Sequence, residues 1–181
     1  MLTMTETEVL ANLGAKLDAL GLSYMLTGSF ALAFYAQPRM TRDIDIVLAI
    51  RAQDVDSLSA SLSADFYIDA NAARQAIAQE RLFNLMHFAT GLKIDLIVRK
   101  SSPYRLVEFD RRRQASLGSA NIWIVSCEDL VLSKLDWMKL TQSDLQRRDI
   151  SQLLEGPVDV DYLLHWAAVL GVEKLLKELM P

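Results

Sequence analysis

Five residues carry the chemistry this sequence can do most directly: Gly28, Ser29, Asp43, Asp45 and Asp95. Asp43 and Asp45 interrupt an otherwise apolar run, DIDIVL, that reads as a strand. On a strand, residues i and i+2 share a face about 6.5–7 Å apart, so the two carboxylates can aim at one point in front of the sheet. Asp95 stands in a second such run, KIDLIV. If the two strands are neighbours, Asp95 joins the pair at the strand spacing of ~4.8 Å. Three carboxylates that close repel one another unless a cation neutralises them. All-oxygen ligands suit Mg²⁺ or Mn²⁺, and two such ions can activate an attacking hydroxyl and steady a leaving phosphate in an in-line displacement. The Gly28-Ser29 turn supplies a complementary half. Between a strand and a helix start, free backbone N–H groups form an anion site. Glycine there lets a phosphate approach the backbone, and the Ser29 hydroxyl adds a hydrogen bond. A phosphate cradle beside a divalent-metal mount is what a nucleoside triphosphate requires.

The elements that must hold these residues follow from pattern. Thr5 and Glu8 read as a capping box ahead of Val9, Leu10, Leu13, Leu17 and Leu20 at helical spacing, with Gly21 as the stop. Residues 24–27 are expected as a short strand and 30–35 as a helix ended before Pro38. Residues 43–50 alternate, with Ile44, Ile46, Leu48 and Ile50 on one face and Asp43, Asp45, Val47 and Ala49 on the other. Helices are expected over 54–62 and 70–80. Residues 82–89 and 92–98, joined at Thr90-Gly91, read as a β-hairpin. Pro103 opens a further helix and 121–125 form a strand. Ser126 begins a long helix through Leu140, and 144–179 are helical with breaks at Gly156-Pro157 and Gly171. The expected fold is α/β (α+β), a mixed sheet flanked by helices, with residues 1–125 as the catalytic core and 126–181 as a C-terminal helical part packed on it.

Composition bounds the rest. The chain has 181 residues, 51% hydrophobic and 23% charged, enough for a core without disulfide or metal staples. A net charge of −4 argues against a general nucleic-acid coat, which needs a strongly basic surface, but leaves room for a local basic groove. With a single cysteine, Cys127, no disulfide framework exists within the chain and a reducing compartment is the default. The N-terminus lacks the pattern of a secretory signal, and no apolar run reaches the ~20 residues of a membrane span. The expectation is a soluble, cytoplasmic protein.

The combination of Gly28-Ser29, then Asp43-Ile44-Asp45-Ile46, then Asp95 in a later strand resembles the nucleotidyltransferase superfamily of DNA polymerase β. The helix EDLVLSKLDWMK followed by RRDISQLL resembles the small bacterial members and is closest to the AbiEii-like nucleotidyltransferases, often toxins of type IV toxin–antitoxin pairs. AbiEii proteins are generally longer, so the chain reads as a short relative at the level of the domain. The resemblance implies transfer of a nucleoside monophosphate from an NTP to a hydroxyl, with release of pyrophosphate. It implies that Asp43 and Asp45 ligate both catalytic metals, Mg²⁺ or Mn²⁺, and that Asp95 ligates the one activating the acceptor. Gly28 and Ser29 would hold the β- and γ-phosphates, and Lys134 would reach the triphosphate. Arg42 and Asp149 would support the site. The implied partners are an NTP, an acceptor such as RNA or tRNA, and a cognate antitoxin.

Plainer readings stand beside these. An Asp-x-Asp pair occurs on solvated strand ends and in glycosyltransferases that hold a metal–sugar-nucleotide. Ser29 could be only an N-cap, and Lys134 a solvent-facing helix residue. Arg111-Arg112-Arg113 and Arg147-Arg148 read as solvated helix faces or RNA-backbone contacts. His87 and His165 lack a second ligand at metal spacing and read as packing or surface residues. Cys127 reads as structural, with a lowered pKa as the alternative. Trp123, Trp137 and Trp166 are expected in the core. Three functional classes remain open: an RNA-modifying toxin, the same chemistry on a protein side chain or a small molecule such as an aminoglycoside, and a non-catalytic nucleotide-binding or antitoxin-interacting module.

Overall fold

A mixed seven-stranded sheet organises the chain. It is seen in a computed structural model that describes residues 5–41, 43–139, 141 and 143–180. The chain enters through α1 (Glu6–Ala19), whose first turn closes as the sequence predicts: the Glu8 N–H donates to Thr5 Oγ1 and the Thr5 N–H to Glu8 Oε2. Strand β1 (Tyr24–Thr27) leads into α2 (Gly28–Leu32), which starts at the glycine itself and lasts only five residues. Then come β2 (Asp43–Leu48), a 3₁₀ turn, α3 (Val55–Leu62), β3 (Phe66–Ile68), α4 (Ala70–Ala78), β4 (Leu82–His87) and β5 (Lys93–Val98). After α5 (Pro103–Asp110), β6 (Arg113–Leu117) and β7 (Ala120–Ile124) form a hairpin. Four helices finish the chain: α6 (Cys127–Met138), α7 (Asp144–Leu154), α8 (Val160–Leu170) and α9 (Glu173–Leu179).

The strand order is β3-β4-β5-β2-β1-β7-β6, with β2/β5 and β1/β7 parallel and the other pairs antiparallel. Two strands escape the sequence reading. β3 is too short to show a period, and β6 (RQASL) is an edge strand with no buried residue, so neither carries an apolar alternation to detect. The alternation in β2 and β5 is real. Ile44, Ile46, Leu48, Ile94, Leu96 and Val98 are buried on one face, while Asp43, Asp45, Val47, Asp95 and Ile97 take the other.

The helices after β7 are fastened by a buried carboxylate. Asp129 on α6 is fully buried. It accepts hydrogen bonds from Tyr162 Oη of α8 (2.7 Å), Tyr104 Oη of α5 (3.3 Å), Arg111 Nε at the end of α5 (3.1 Å) and Ser126 Oγ (2.6 Å). Arg111 also lies over the Tyr162 ring, 3.8 Å from its centroid. These partners together satisfy a charge that burial alone would make prohibitive. No helix among the described residues is long and apolar enough to cross a membrane. Asp129→Ala removes the side-chain acceptor of Tyr162 and Ser126, leaves Tyr104 with only the Asp129 carbonyl and Arg111 with only Glu128, and is expected to cost about 3–5 kcal/mol, read as a lowered midpoint in urea unfolding. A loss below about 1 kcal/mol would show that Asp129 does not fasten α5, α6 and α8 together.

Candidate active site

The parallel register of β2 and β5 makes Asp45 and Asp95 cross-strand partners, and it sets Asp43 opposite Lys93. Extending the register outward gives one row of partners over four strands, Thr27, Asp45, Asp95 and Asn84. The next row along the sheet holds Val47, Ile97 and Leu82. All three aspartates therefore rise from one face.

Gly28 sits directly against this face. Its φ is +67°, the left-handed region that favours glycine, and a Cβ added there would lie 2.0 Å from Asp45 Oδ2. The glycine thus both makes the turn and leaves room for the carboxylate. Burial, reinforced by the charges of Asp95 and Asp43, pushes the Asp45 pKa up to about 6, and Lys134 and Lys93 offset this only in part. Asp95 is differently held. Lys93 Nζ lies 2.8 Å from Oδ1 and 3.1 Å from Oδ2, and Asn84 Nδ2 donates to Oδ1 as well. The hydrogen bond to Asp95 raises the Lys93 pKa. Among the described residues, no three acidic, histidine or cysteine side chains converge closely enough to hold a metal ion. The aspartates share a face, but the Asp95 carboxylate is engaged by Lys93 and Asn84.

A second polar group lies at the Gly28-Ser29 end. Ser29 Oγ accepts from Arg39 Nη2. Arg39 Nε and Nη2 also grip Asp149 of α7 at 3.1–3.2 Å. The same carboxylate accepts from Lys134 Nζ at 2.7 Å, and Lys134 bonds Gln146 Oε1 at 3.0 Å. Lys134 is 5% exposed, which corrects the solvent-facing alternative. Burial lowers its pKa, opposed by the bond to Asp149. The network joins the turn after β1 to α6 and α7.

Along the same face from the aspartates, a cavity of about 570 Å³ opens over Val47 and Ile97, lined also by Thr27, by Arg105 of α5 and by Ser133 and Trp137 of α6. Arg81, Arg99 and Lys100 stand at its rim. None of these three makes an ion pair with a described carboxylate, whereas Arg105 is taken up by Glu108 and Asp136.

Known proteins share this fold. The profile of the family "Nucleotidyl transferase AbiEii toxin, Type IV TA system" matches residues 10–172. The chain belongs to the AbiEii nucleotidyltransferase family. The fold is similar to that of an antigenic nucleotidyltransferase-like protein from Paracoccidioides brasiliensis, at 18% identity over 96% of this chain and 90% of that one, with a TM-score of 0.63. It is similar also to the antibiotic-resistance factor ANT(2'')-Ia (11% identity, 98% and 94% covered, TM-score 0.62). A third likeness is to the lincosamide antibiotic adenylyltransferase LnuA (17%, 84% and 98%, 0.53). No individual curated protein matches the sequence.

The residues of this AbiEii nucleotidyltransferase suit a divalent cation. The donor set is all carboxylate, burial and then the charges of Asp95 and Asp43 raise the Asp45 pKa, and the Lys93 ammonium stands in as a cation at Asp95. Arg39 is the site residue that the sequence reading missed. It sits in a loop with no periodicity, and only the fold carries it to Ser29 and Asp149. Arg42 lies outside the described residues, as does Leu140, the expected end of α6. The readings of the arginine triplet and of Trp137 need correction. Arg111-Arg112-Arg113 is not a solvated helix face: Arg111 serves Asp129, Arg112 lies over the Phe109 ring at 4.3 Å, and Arg113 is on β6 over Tyr35 at 4.7 Å. Arg147 pairs with Glu178 at 3.8 Å. Trp137 is not core but 53% exposed, at the cavity, while Trp123 and Trp166 pack against the core partly buried. Burial pushes the Cys127 thiol up to about 11, so it is no activated nucleophile. His87 is buried, with Nδ1 2.9 Å from Thr90 Oγ1, and His165 is exposed.

Two predictions follow from Asp45 and its neighbour. With its pKa raised from the ordinary 3.8 to about 6, the metal-free folded chain binds a proton the unfolded chain has released. Stability from this group is therefore greatest at low pH and is lost as pH rises through about 6. Asp45→Asn is expected to stabilise the metal-free protein by about 1–2 kcal/mol at neutral pH, a few degrees in Tm. The gain should shrink toward about pH 4 in melts recorded with chelator. An unchanged Tm at neutral pH contradicts the strain assigned to Asp45. Gly28→Ala, forced to φ +67° against Asp45, is expected to cost about 1–3 kcal/mol and to displace the carboxylate, measured as a lower Tm with a loss of nucleotidyl transfer.

Proposed function

We propose that the protein transfers a nucleoside monophosphate from an NTP to an acceptor hydroxyl with Mg²⁺ or Mn²⁺ as cofactor. The observation that carries this reading is the Asp45–Asp95 pair set directly beside the Gly28-Ser29 turn. In the reaction the acceptor oxygen bonds to the α-phosphorus, the bond to the β-phosphate oxygen breaks, pyrophosphate leaves and the hydroxyl proton is released. Asp43, Asp45 and Asp95 would hold the divalent ions, which supply charge neutralisation at the phosphates and a more acidic acceptor hydroxyl. Gly28 and Ser29 bind the β- and γ-phosphates through backbone N–H groups and the hydroxyl. Helix α2 is too short for a large dipole, so the positive charge at this end comes from Arg39 and Lys134, both aligned by Asp149. Catalysis is chiefly positioning and electrostatics.

The cavity beside Asp95 supports an anionic acceptor. Its lining carries three cations without an ion pair among the described residues against one such carboxylate, Glu80, and an exposed indole, Trp137, on which a base can stack. That combination favours RNA, such as tRNA, over a polycationic aminoglycoside, although a relative of this fold has been seen in complex with adenylyl-2''-tobramycin. A toxin role in the cytoplasm, with a cognate antitoxin, fits the family name and is part of this proposal. The test is incubation with labelled NTPs, Mg²⁺ and total RNA or lysate, with and without Asp43→Ala. Label is expected in RNA, with pyrophosphate released, and should fall at least about 100-fold in the variant. Label in protein or small molecules would replace RNA as the acceptor. Absence of any Mg²⁺-dependent triphosphate binding or transfer would refute the enzyme reading.

A further inference from the structure

The Lys93 ammonium is unusually placed for a lysine on a solvent-facing strand position. It lies two residues before Asp95 on the same face of β5 and is the register partner of Asp43 on β2. It bridges both oxygens of Asp95, at 2.8 and 3.1 Å, while Asn84, the partner of Asp95 on β4, donates to Oδ1 from the other side. The Asp95 side chain is thereby reduced to 15% exposure, whereas that of Lys93 remains 40% exposed. Lys93 thus has room to leave, and Asp95 has no unengaged oxygen until it does.

We propose that Lys93 is a built-in competitor for the divalent cation: its ammonium neutralises Asp95 in the metal-free enzyme, with Asn84 fixing the carboxylate in that pose, and must be released for Asp95 to become a ligand. This rests on the nucleotidyltransferase reading and goes beyond it by naming what occupies the third aspartate between turnovers. The physical case is an exchange of one counter-charge for another. An ammonium 2.8 Å from a carboxylate opposes binding of a second cation to that carboxylate, by repulsion and by loss of the ion pair. Lys93 therefore raises the metal concentration at which Asp95 is recruited, and the nucleotide, arriving with its own phosphate ligands, lowers it again. Lys93 and Asn84 act through Asp95 and are positioning residues.

The test is Mn²⁺ binding without nucleotide, read from the electron paramagnetic resonance signal of the free ion. It uses the full chain as wild type, Lys93→Met, Lys93→Gln, Lys93→Arg and Asp45→Asn. Both neutral variants are expected to bind Mn²⁺ about tenfold more tightly than wild type, and Lys93→Arg to match wild type because it keeps the charge. A larger Mn²⁺-induced rise in Tm should accompany the tighter binding. Unchanged or weaker binding in the neutral variants, or equal tightening in Lys93→Arg, overturns the competitor role. If wild-type binding is still lost in Asp45→Asn, the metal reading of the site survives that failure. No Mn²⁺ binding in wild type or in any Lys93 variant overturns both. Should Lys93→Met fail to fold, Lys93→Gln, which keeps a polar head at the same position, carries the comparison.

Discussion

Like charges brought to neighbouring positions on paired strands must be neutralised, and much of this molecule is arranged around that requirement. The parallel pairing of β2 with β5 makes Asp45 and Asp95 partners, with Asp43 one step along the same face. The sheet answers from within by placing Lys93 at Asp95. It also leaves Asp45 incompletely compensated, half-buried and with a pKa pushed up to about 6. The back of the same strands is uniformly apolar and buried, so the strands cannot slip by one residue to relieve the repulsion without turning isoleucines to solvent and aspartates into the core. Hydrophobic register holds the acids together, and their charge makes the face a place for cations.

The helical part supplies the remaining charge through two buried carboxylates with different duties. Asp129 ties α5, α6 and α8 together through tyrosines, a serine and Arg111. With α6 so placed, Lys134 on the same helix reaches Asp149 on α7, and Asp149 in turn orients Arg39 toward Ser29. Helix α6 thus connects a structural anchor, Asp129, to an ion-pair network that ends at Ser29. Breaking that network would move Arg39 and Lys134 without touching Asp43, Asp45 or Asp95. The wall of the cavity also depends on α6, through Ser133 and Trp137, so the helix that brings Lys134 also shapes the space beside Asp95.

Much of this was legible along the chain because it rests on local periodicity. The alternation of DIDIVL and KIDLIV put the three aspartates on polar faces, and the Gly28-Ser29 position between strand and helix was evident from the turn. The capping box of α1 and the Ser126 N-cap of α6 follow from short-range hydrogen bonding and appear as expected. Elements without such a signature were not legible. β6 is polar along its whole length because it is an edge, and Arg111, Arg112 and Arg113 look like any basic surface run. Only in the folded chain do they acquire an aspartate, aromatic rings and a strand. Trp137, by its hydrophobicity a core residue, is kept exposed by its place at the open cavity between α6 and the sheet.

The sequence by itself therefore determined the identity of the acids, their common polar face and the glycine turn that accompanies them, because strand and turn geometry are set within a few residues. It was also enough for the family. The tertiary structure decided which strand lies beside which. It decided that Lys93 and Asn84 close on Asp95, that a buried Lys134 answers to Asp149, and that Arg39 reaches back to Ser29. These are pairings between residues up to 110 positions apart, and their energies depend on burial and distance, which no local pattern encodes.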